Sequence, residues 1–251
     1  MEAIKRAIIC LVKSAIDGSH TEVPVDICWE KVVAFGESHK IIPLLYQGIE
    51  NSGISVPKAA METMQSIVLA NLMFDQKQMY ELSALQRVFD ERGIDYMPIK
   101  GMRMKYLYPH TELRPMGDGD ILIRMTQKEK IADVMERSGY AFAYESTHEW
   151  AFDKNGVHVE LHKRLIPIQN IDYCSYYGDG WKLARKAGNG TRYALRDDDH
   201  YIYIYAFCKA LSRWWHRRTA YGGSLDLCRS DKCAGAVYPC GIGKTGTIAL
   251  P

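Results

Sequence analysis

The chain has 251 residues, 47% of them hydrophobic, and a formal net charge of +2, which is ordinary for a globular protein of one large or two small domains. Its 32 basic and 30 acidic side chains nearly balance, which argues against a general affinity for nucleic acid or anionic membranes. No apolar run approaches the roughly 20 residues of a membrane span. Seven irregularly spaced cysteines are typical of reduced thiols, so we expect a cytoplasmic protein. The near balance of charge and the lack of a long apolar run lead us to expect no membrane partner.

The first part of the chain is predicted to be helical. Apolar side chains at helical spacing predict three helices, over residues 3–16, 28–35 and 39–50. Gly36 is expected to end the second helix, and Pro43 is expected in the first turn of the third, where its missing N–H does no harm. Residues 58–92 repeat apolar side chains at near-heptad spacing without Pro or Gly, which indicates a long helix facing the core. Residues 1–92 are therefore predicted to form an N-terminal helical region.

From residue 93 onwards the pattern is that of an α/β domain, predicted to extend to residue 210. Short apolar or alternating runs predict strands over residues 96–99, 117–123, 140–144, 149–153 and 157–162. A helix is predicted over residues 126–138, with Thr126 as its N-cap. Lys154-Asn155-Gly156 predicts a hairpin turn. Residues 165–196 are predicted to be irregular, and residues 197–210 favour a helix with an acidic start.

Acidic side chains lie at the start of one predicted strand. Asp118 and Asp120 are alternate residues, so they share a face of the strand, roughly 6–7 Å apart at the backbone. Two carboxylates held in this way suit a divalent cation that prefers oxygen ligands, Mg²⁺ or Mn²⁺. A later strand carries His158, Glu160 and His162 on one face, which is an alternative site for zinc or iron.

Several short motifs accompany these acidic residues. Between residues 96 and 163 the chain has Lys100-Gly101 after a strand, Tyr108-Pro109, Arg114-Pro-Met-Gly-Asp-Gly-Asp120, and Val159-Glu160-Leu161 on a later strand. This arrangement resembles the nucleotidyltransferases of the DNA polymerase β type, specifically their poorly characterised bacterial branch. Two positions depart from the usual pattern: the family's Gly-Ser is Lys-Gly here, and Gly119 stands between the aspartates where an apolar residue is commoner.

The resemblance implies a fold class and a reaction. The fold would be α/β (α+β), a small mixed sheet of the nucleotidyltransferase type with flanking helices, preceded by the N-terminal helical region. The reaction would be metal-dependent transfer of a nucleoside monophosphate from a nucleoside triphosphate (NTP), with ATP among the candidates, to an acceptor hydroxyl, with release of pyrophosphate. The resemblance leaves open whether the acceptor is a small molecule, a protein side chain or an RNA end, and it leaves the oligomeric state open.

The resemblance also implies roles for individual residues. Asp118, Asp120 and Glu160 would be the catalytic residues and the ligands of one or two Mg²⁺ or Mn²⁺ ions, and one carboxylate would take the proton of the acceptor hydroxyl. Lys100, Gly101 and Arg114 would bind the phosphates. His162 would position Glu160 or touch the substrate. Two alternatives remain: a non-catalytic nucleotide-binding or partner protein, and a zinc or iron enzyme built on His158, Glu160 and His162.

Residues 211–251 differ from the rest of the chain because they show neither helical nor strand periodicity and hold three of the seven cysteines. Family members are expected to have a Gly-rich turn at this point. Trp214-Trp215 must be encoded by TGGTGG, which reads as Gly-Gly one base later. With suitable codons, residues 208–225 then give a string resembling the family. We therefore hypothesise that the chain leaves its ancestral reading frame near Phe207, and the gene sequence would test this hypothesis.

Overall fold

A computed structural model describes residues 2–24, 26–168 and 170–205. Four helices come first: α1 (Glu2–Asp17), α2 (Trp29–Ser38), α3 (Ile42–Ser52) and α4 (Lys58–Glu91). Their apolar faces meet in one buried cluster, which includes Leu11, Val32, Leu45 and Met64. Pro43 lies in the first turn of α3, as predicted. The predicted helical N-terminus is therefore confirmed, whereas the division of the chain at residues 92 and 210 stays a prediction.

The approach of α1 to α3 depends on one glycine. A β-carbon on Gly48 would overlap the backbone carbonyl of Leu11, which cannot move without moving α1. We expect Gly48→Ala to lower the free energy of unfolding by about 3 kcal/mol, at the upper end of typical overpacking costs. Urea unfolding would measure this loss. Gly36→Ala is the matched control, because its new β-carbon would meet only side-chain tips of Ile42 and Leu45; equal losses in the two variants would contradict the argument.

A five-stranded mixed sheet follows the helices. Its strands are β1 (Tyr96–Pro98), β2 (Asp118–Ile123), β3 (Ala141–Glu145), β4 (Glu149–Lys154) and β5 (Val157–His162), in the spatial order β1-β2-β5-β4-β3. Only β2 and β5 pair in parallel, and the other neighbours are antiparallel. Asn155 and Gly156 both have positive φ in the turn between β4 and β5, which is the geometry of the predicted tight hairpin. The α/β class with a mixed sheet is therefore confirmed.

The two faces of the sheet have different roles. One face packs against α4 and α6 (Lys128–Arg137) through a cluster that includes Leu82, Phe89, Ile121, Val134 and Leu161. The packing against α4 is tight at Gly119, where a β-carbon would lie 2.5 Å from Leu82 Cδ2. This contact explains why the chain has glycine where an apolar side chain is usual. The opposite face carries the acidic residues, with a third apolar cluster below them that includes Met97, Leu122, Trp181 and Tyr203.

Three local predictions are wrong, each for a physical reason. Gly36 does not end α2, which continues to Ser38; the glycine instead lets Ile42 pack closely. Thr126 does not cap α6, because residues 125–127 form a 3₁₀ turn and the helix begins at Lys128 without a side-chain cap. Residues 165–196 are not irregular throughout: they contain α7 (Ile171–Tyr177), a 3₁₀ turn and the two-residue strands β6 (Arg185–Lys186) and β7 (Tyr193–Ala194).

The last described segment, α8, is helical over residues 197–205, which agrees with the predicted helix as far as the described chain reaches. The predicted tail over residues 211–251 and the reading-frame hypothesis lie outside the described residues and stay predictions. Within the described part of the chain, no helix combines the length and the apolarity that crossing a bilayer would require.

Candidate active site

The parallel pairing of β2 with β5 places the candidate residues side by side. Asp118 lies opposite His158 and Asp120 opposite Glu160, so the acidic side chains of both strands share one face of the sheet. His162 follows two residues after Glu160 on that same face. Asp120 and His162 are almost fully buried, at 2% and 3% exposure, while Glu160 keeps partial access to solvent. Two strands that are 40 residues apart in sequence therefore build a single acidic patch.

A short network of hydrogen bonds joins the centre of this patch. His162 Nε2 lies 2.7 Å from Asp120 Oδ1 and 3.4 Å from Glu160 Oε2. Lys100 Nζ donates to Asp120 Oδ1 at 2.6 Å and lies 3.8 Å from Glu160 Oε2. The structure thus brings Asp120, Glu160, His162 and Lys100 into direct contact.

The pKa values follow from these contacts. Hydrogen bonding from His162, followed by the charge of Lys100, lowers the pKa of Glu160 to about 2 against the opposing effect of burial. Burial alone would lower the pKa of His162, but its hydrogen bonds to Asp120 and Glu160 raise it above the usual value. Burial is also the largest cause of the raised pKa of Asp118, with the charges of Asp120 and Glu160 adding to it.

Asp118 lies at the border of this group. Asp120, Glu160 and His162 each offer a ligand atom within 4.8 Å of the others, and Asp118 lies outside that tight set although it senses the charges of its neighbours. His158 also remains outside it, because its Nδ1 lies 2.7 Å from Asp153 Oδ1 and its Nε2 is 4.0 Å from the nearer Glu160 oxygen. The zinc or iron alternative proposed His158, Glu160 and His162 as ligands. Among the described residues, the group close enough to share a metal is instead Asp120, Glu160 and His162.

Lys100 reaches the carboxylates from a strained turn. Its φ of 45° and ψ of −122° lie in a region that residues with a side chain rarely adopt, and the turn leads from β1 into α5 (Gly101–Met104). Such strain costs about 1–3 kcal/mol and is typical of functional sites. The family's usual glycine is suited to this conformation. Here a lysine accepts the strain, and its ammonium group lies against Asp120.

The other two predicted phosphate-binding residues have different surroundings. A β-carbon on Gly101 would lie 2.9 Å from the side chain of Met116, so its glycine permits a close approach of that side chain. Arg114 has no hydrogen bond or ion pair with Asp120 or Glu160 among the described residues, and its Nε is buried without a hydrogen-bond partner there. Its charge is felt instead by Tyr108, whose pKa burial raises and Arg114 partly lowers. The phosphate-binding roles of both residues stay predictions.

Sequence reasoning missed two members of the network. Glu149 Oε2 lies 3.8 Å from His162 Nδ1. The Tyr144 hydroxyl lies 3.3 Å from both Glu149 Oε1 and Glu160 Oε1, which share its single proton as acceptors. A signal for Glu149 was present, because a hairpin turning at Asn155-Gly156 fixes the antiparallel register and counting back from it pairs Glu149 with His162. Tyr144 could not be found in this way, since the register shifts between Phe142 and Tyr144.

The charge and the donor atoms fit a divalent cation. Four carboxylates, those of Asp118, Asp120, Glu149 and Glu160, surround two basic groups, Lys100 and His162. The excess of negative charge attracts cations. Carboxylate oxygens are the ligands that Mg²⁺ and Mn²⁺ prefer, and an imidazole nitrogen extends the set towards later transition metals. The residues present are therefore suited to hold the metal that this kind of fold implies.

The comparisons agree with the architecture. Residues 26–228 match the model of the family described as uncharacterised nucleotidyltransferase, so the chain belongs to this family of nucleotidyltransferases. A search of curated proteins and a search of solved structures each found no match. The resemblance to nucleotidyltransferases is thus confirmed at the level of the family. The family description names no substrate, so any inference about substrates has to come from the residues of the site.

Proposed function

We propose that this chain is a metal-dependent nucleotidyltransferase that moves a nucleoside monophosphate from an NTP to an acceptor hydroxyl and releases pyrophosphate. The observation that supports it most is the pairing of Asp120 with Glu160 across two parallel strands, inside a chain of this family. Asp118, Asp120 and Glu160 would hold one or two Mg²⁺ or Mn²⁺ ions, which supply positive charge to the triphosphate when bound.

The chain's own groups have separate tasks in this proposal. The acceptor oxygen bonds to the α-phosphorus while the bond from that phosphorus to the oxygen bridging the α- and β-phosphates breaks, and pyrophosphate leaves. Asp118 takes the proton of the acceptor hydroxyl, because burial and the charges of Asp120 and Glu160 raise its pKa and so strengthen it as a base. The ammonium group of Lys100 hydrogen-bonds to Asp120 and lies at the centre of the site. When the triphosphate binds, this ammonium group leaves Asp120 and contacts a phosphate oxygen. His162 holds Asp120 and Glu160 in place through its Nε2.

Pyrophosphate release tests this function. Purified protein with Mg²⁺ or Mn²⁺, each labelled NTP in turn and an extract as source of acceptors should release pyrophosphate and label an acceptor. Chelation of the metal should abolish both. Nucleotide binding with metal present but no release from any NTP would favour the alternative of a non-catalytic nucleotide-binding protein.

Tyr144→Phe tests whether the hydroxyl between two carboxylates orients Glu160. We expect Mn²⁺ affinity to fall about tenfold, the lower end of effects seen when a group that orients a metal ligand is removed. Titration of Mn²⁺ by calorimetry would measure the change. Phe142→Leu, a substitution at another exposed aromatic residue of β3, is the matched control. Unchanged affinity in Tyr144→Phe would show that Tyr144 does not act through Glu160.

A further inference from the structure

The ammonium group of Lys100 lies where the three side chains best placed to share a metal converge. Its Nζ is 2.6 Å from Asp120 Oδ1, 3.3 Å from His162 Nε2 and 3.8 Å from Glu160 Oε2. The same three side chains each offer a ligand atom within 4.8 Å of the other two. A lysine of this chain therefore places a positive charge among the atoms that would gather around a divalent cation.

This ammonium group is shielded from water. Only 18% of the Lys100 side chain is exposed, and the side chain of Asp120 is 3% exposed. Opposite charges attract more strongly in such surroundings than at the surface, because less water screens them. A buried carboxylate without a partner is costly, so Lys100 helps to stabilise Asp120 in place of a cation.

Lys100 and a divalent cation compete for the same carboxylate. Both use the lone pairs of Asp120 Oδ1, and two positive groups at such close range repel each other. The ammonium group therefore has to leave Asp120 when the cation binds. In the absence of another acceptor it leaves for water and gives up a short, charge-assisted hydrogen bond.

A triphosphate changes this balance. Its oxygens accept hydrogen bonds from an ammonium group and also bind Mg²⁺ or Mn²⁺. One ligand then compensates the charge of Lys100 and that of the metal together. Release of Lys100 from Asp120 is thus more favourable with a triphosphate than with the free cation alone.

We propose that Lys100 couples metal binding to triphosphate binding, so that the site takes up the cation together with the NTP in preference to the free ion. The inference rests on the proposed function, because it names the form in which the metal enters the same site. It also accounts for the residue type at the strained turn. Glycine would adopt the φ of 45° without strain, but only a long cationic side chain can reach Asp120 from there.

Binding of Mn²⁺ to the full chain without nucleotide is the first test, with free Mn²⁺ followed by electron paramagnetic resonance. Lys100→Met removes the charge and keeps the length of the side chain. Lys100→Gly removes both and suits the turn, so it is expected to fold if Lys100→Met does not. We expect each variant to bind Mn²⁺ about tenfold more tightly than the parent chain, within the usual 5- to 150-fold range of coupling between two sites.

Lys40→Gly is the matched control for this test. Lys40 is an exposed lysine that also has a positive φ, of 56°, and no ion pair joins it to a carboxylate of the site among the described residues. Its replacement removes the same charge and relieves the same kind of strain. We expect its Mn²⁺ affinity to equal that of the parent chain.

Acetylation of lysine amines in the parent chain is the second test, with the rate at each lysine read by mass spectrometry. Lys100 should react slowly without metal, several-fold faster with saturating Mn²⁺, and slowly again when inorganic tripolyphosphate is added with Mn²⁺. Lys40 should react at one rate in all three states because it is exposed throughout. A lysine with only a structural role would show no such cycle.

Several outcomes would overturn the coupling: Mn²⁺ affinity that rises in neither Lys100 variant, an equal rise in Lys40→Gly, no Mn²⁺ binding in any form, or one acetylation rate of Lys100 in all three states. If the coupling fails while metal-dependent pyrophosphate release is observed, the proposed function stands without it. If both tests succeed and no NTP releases pyrophosphate, the coupling stands and the proposed transfer fails instead.

Discussion

Asp120→Asn is expected to lower the rate of nucleotidyl transfer about 1,000-fold and to weaken Mn²⁺ binding. Asp120 makes the shortest contacts to both Lys100 and His162 among the site carboxylates. Losing one metal ligand removes several kcal/mol of transition-state stabilisation, at about 1.4 kcal/mol per factor of ten. The rate is measured by pyrophosphate release, and the metal by calorimetric titration.

Asp133→Asn supplies the control for this prediction. Asp133 forms an ion pair with Arg137 on the exposed side of α6, so its loss should change neither rate nor metal affinity. A circular dichroism spectrum like that of the parent chain would show that Asp120→Asn is folded. A folded Asp120→Asn variant with a rate within tenfold of the parent would mean that Asp120 is no metal ligand in catalysis.

Asp75→Asn is expected to cost about 3–5 kcal/mol of folding free energy, a loss typical when one partner of a buried ion pair is removed. The reason is that Lys105 is fully buried and its ammonium group bonds to Asp75, so the variant leaves a charge without compensation. Lys105→Met should cost less, because the Asp75 carboxylate lines a cleft between α2, α4 and the loop before β2, where water can hydrate it. The double variant should recover much of the loss. Urea unfolding of all three variants gives the values.

The control for this second prediction is Lys58→Met. Lys58 and Glu62 are mostly exposed and 3.6 Å apart, so breaking their pair should cost at most about 0.5 kcal/mol. If Asp75→Asn cost no more than Lys58→Met, the buried pair would not hold the segment after α5 against α4.

The parts of the fold that could be predicted are those with a strong local period. The long helix α4 and the hairpin of β4 and β5 follow from apolar spacing and from Asn155-Gly156. The prediction that Gly36 ends α2 is wrong because a glycine that ends a helix and a glycine that lets a neighbouring helix pack closely cannot be distinguished in sequence. Residues 165–196 were missed because two-residue strands and single turns are too short to show any period.

Some features of the site could likewise be predicted from the sequence, and others could not. Asp118 and Asp120 share a face by simple alternation, which a sequence can state. That β5 lies parallel to β2, with Glu160 opposite Asp120, is a non-local pairing that no local pattern predicts. The family resemblance implied only that Glu160, on a later strand, joins the two aspartates. The contact of Lys100 with Asp120 depends on a strained turn conformation, and no rule of composition or spacing predicts a lysine there.

Crystals grown with Mn²⁺ and a non-hydrolysable NTP analogue test the central claim most directly, because manganese gives an anomalous signal. The account predicts an anomalous density peak for Mn²⁺ within bonding distance of carboxylate oxygens of Asp118, Asp120 and Glu160. It also predicts that Lys100 contacts the phosphates of the analogue. A peak on His158 and Asp153 instead, or none beside Asp120 while the analogue is bound, would contradict it.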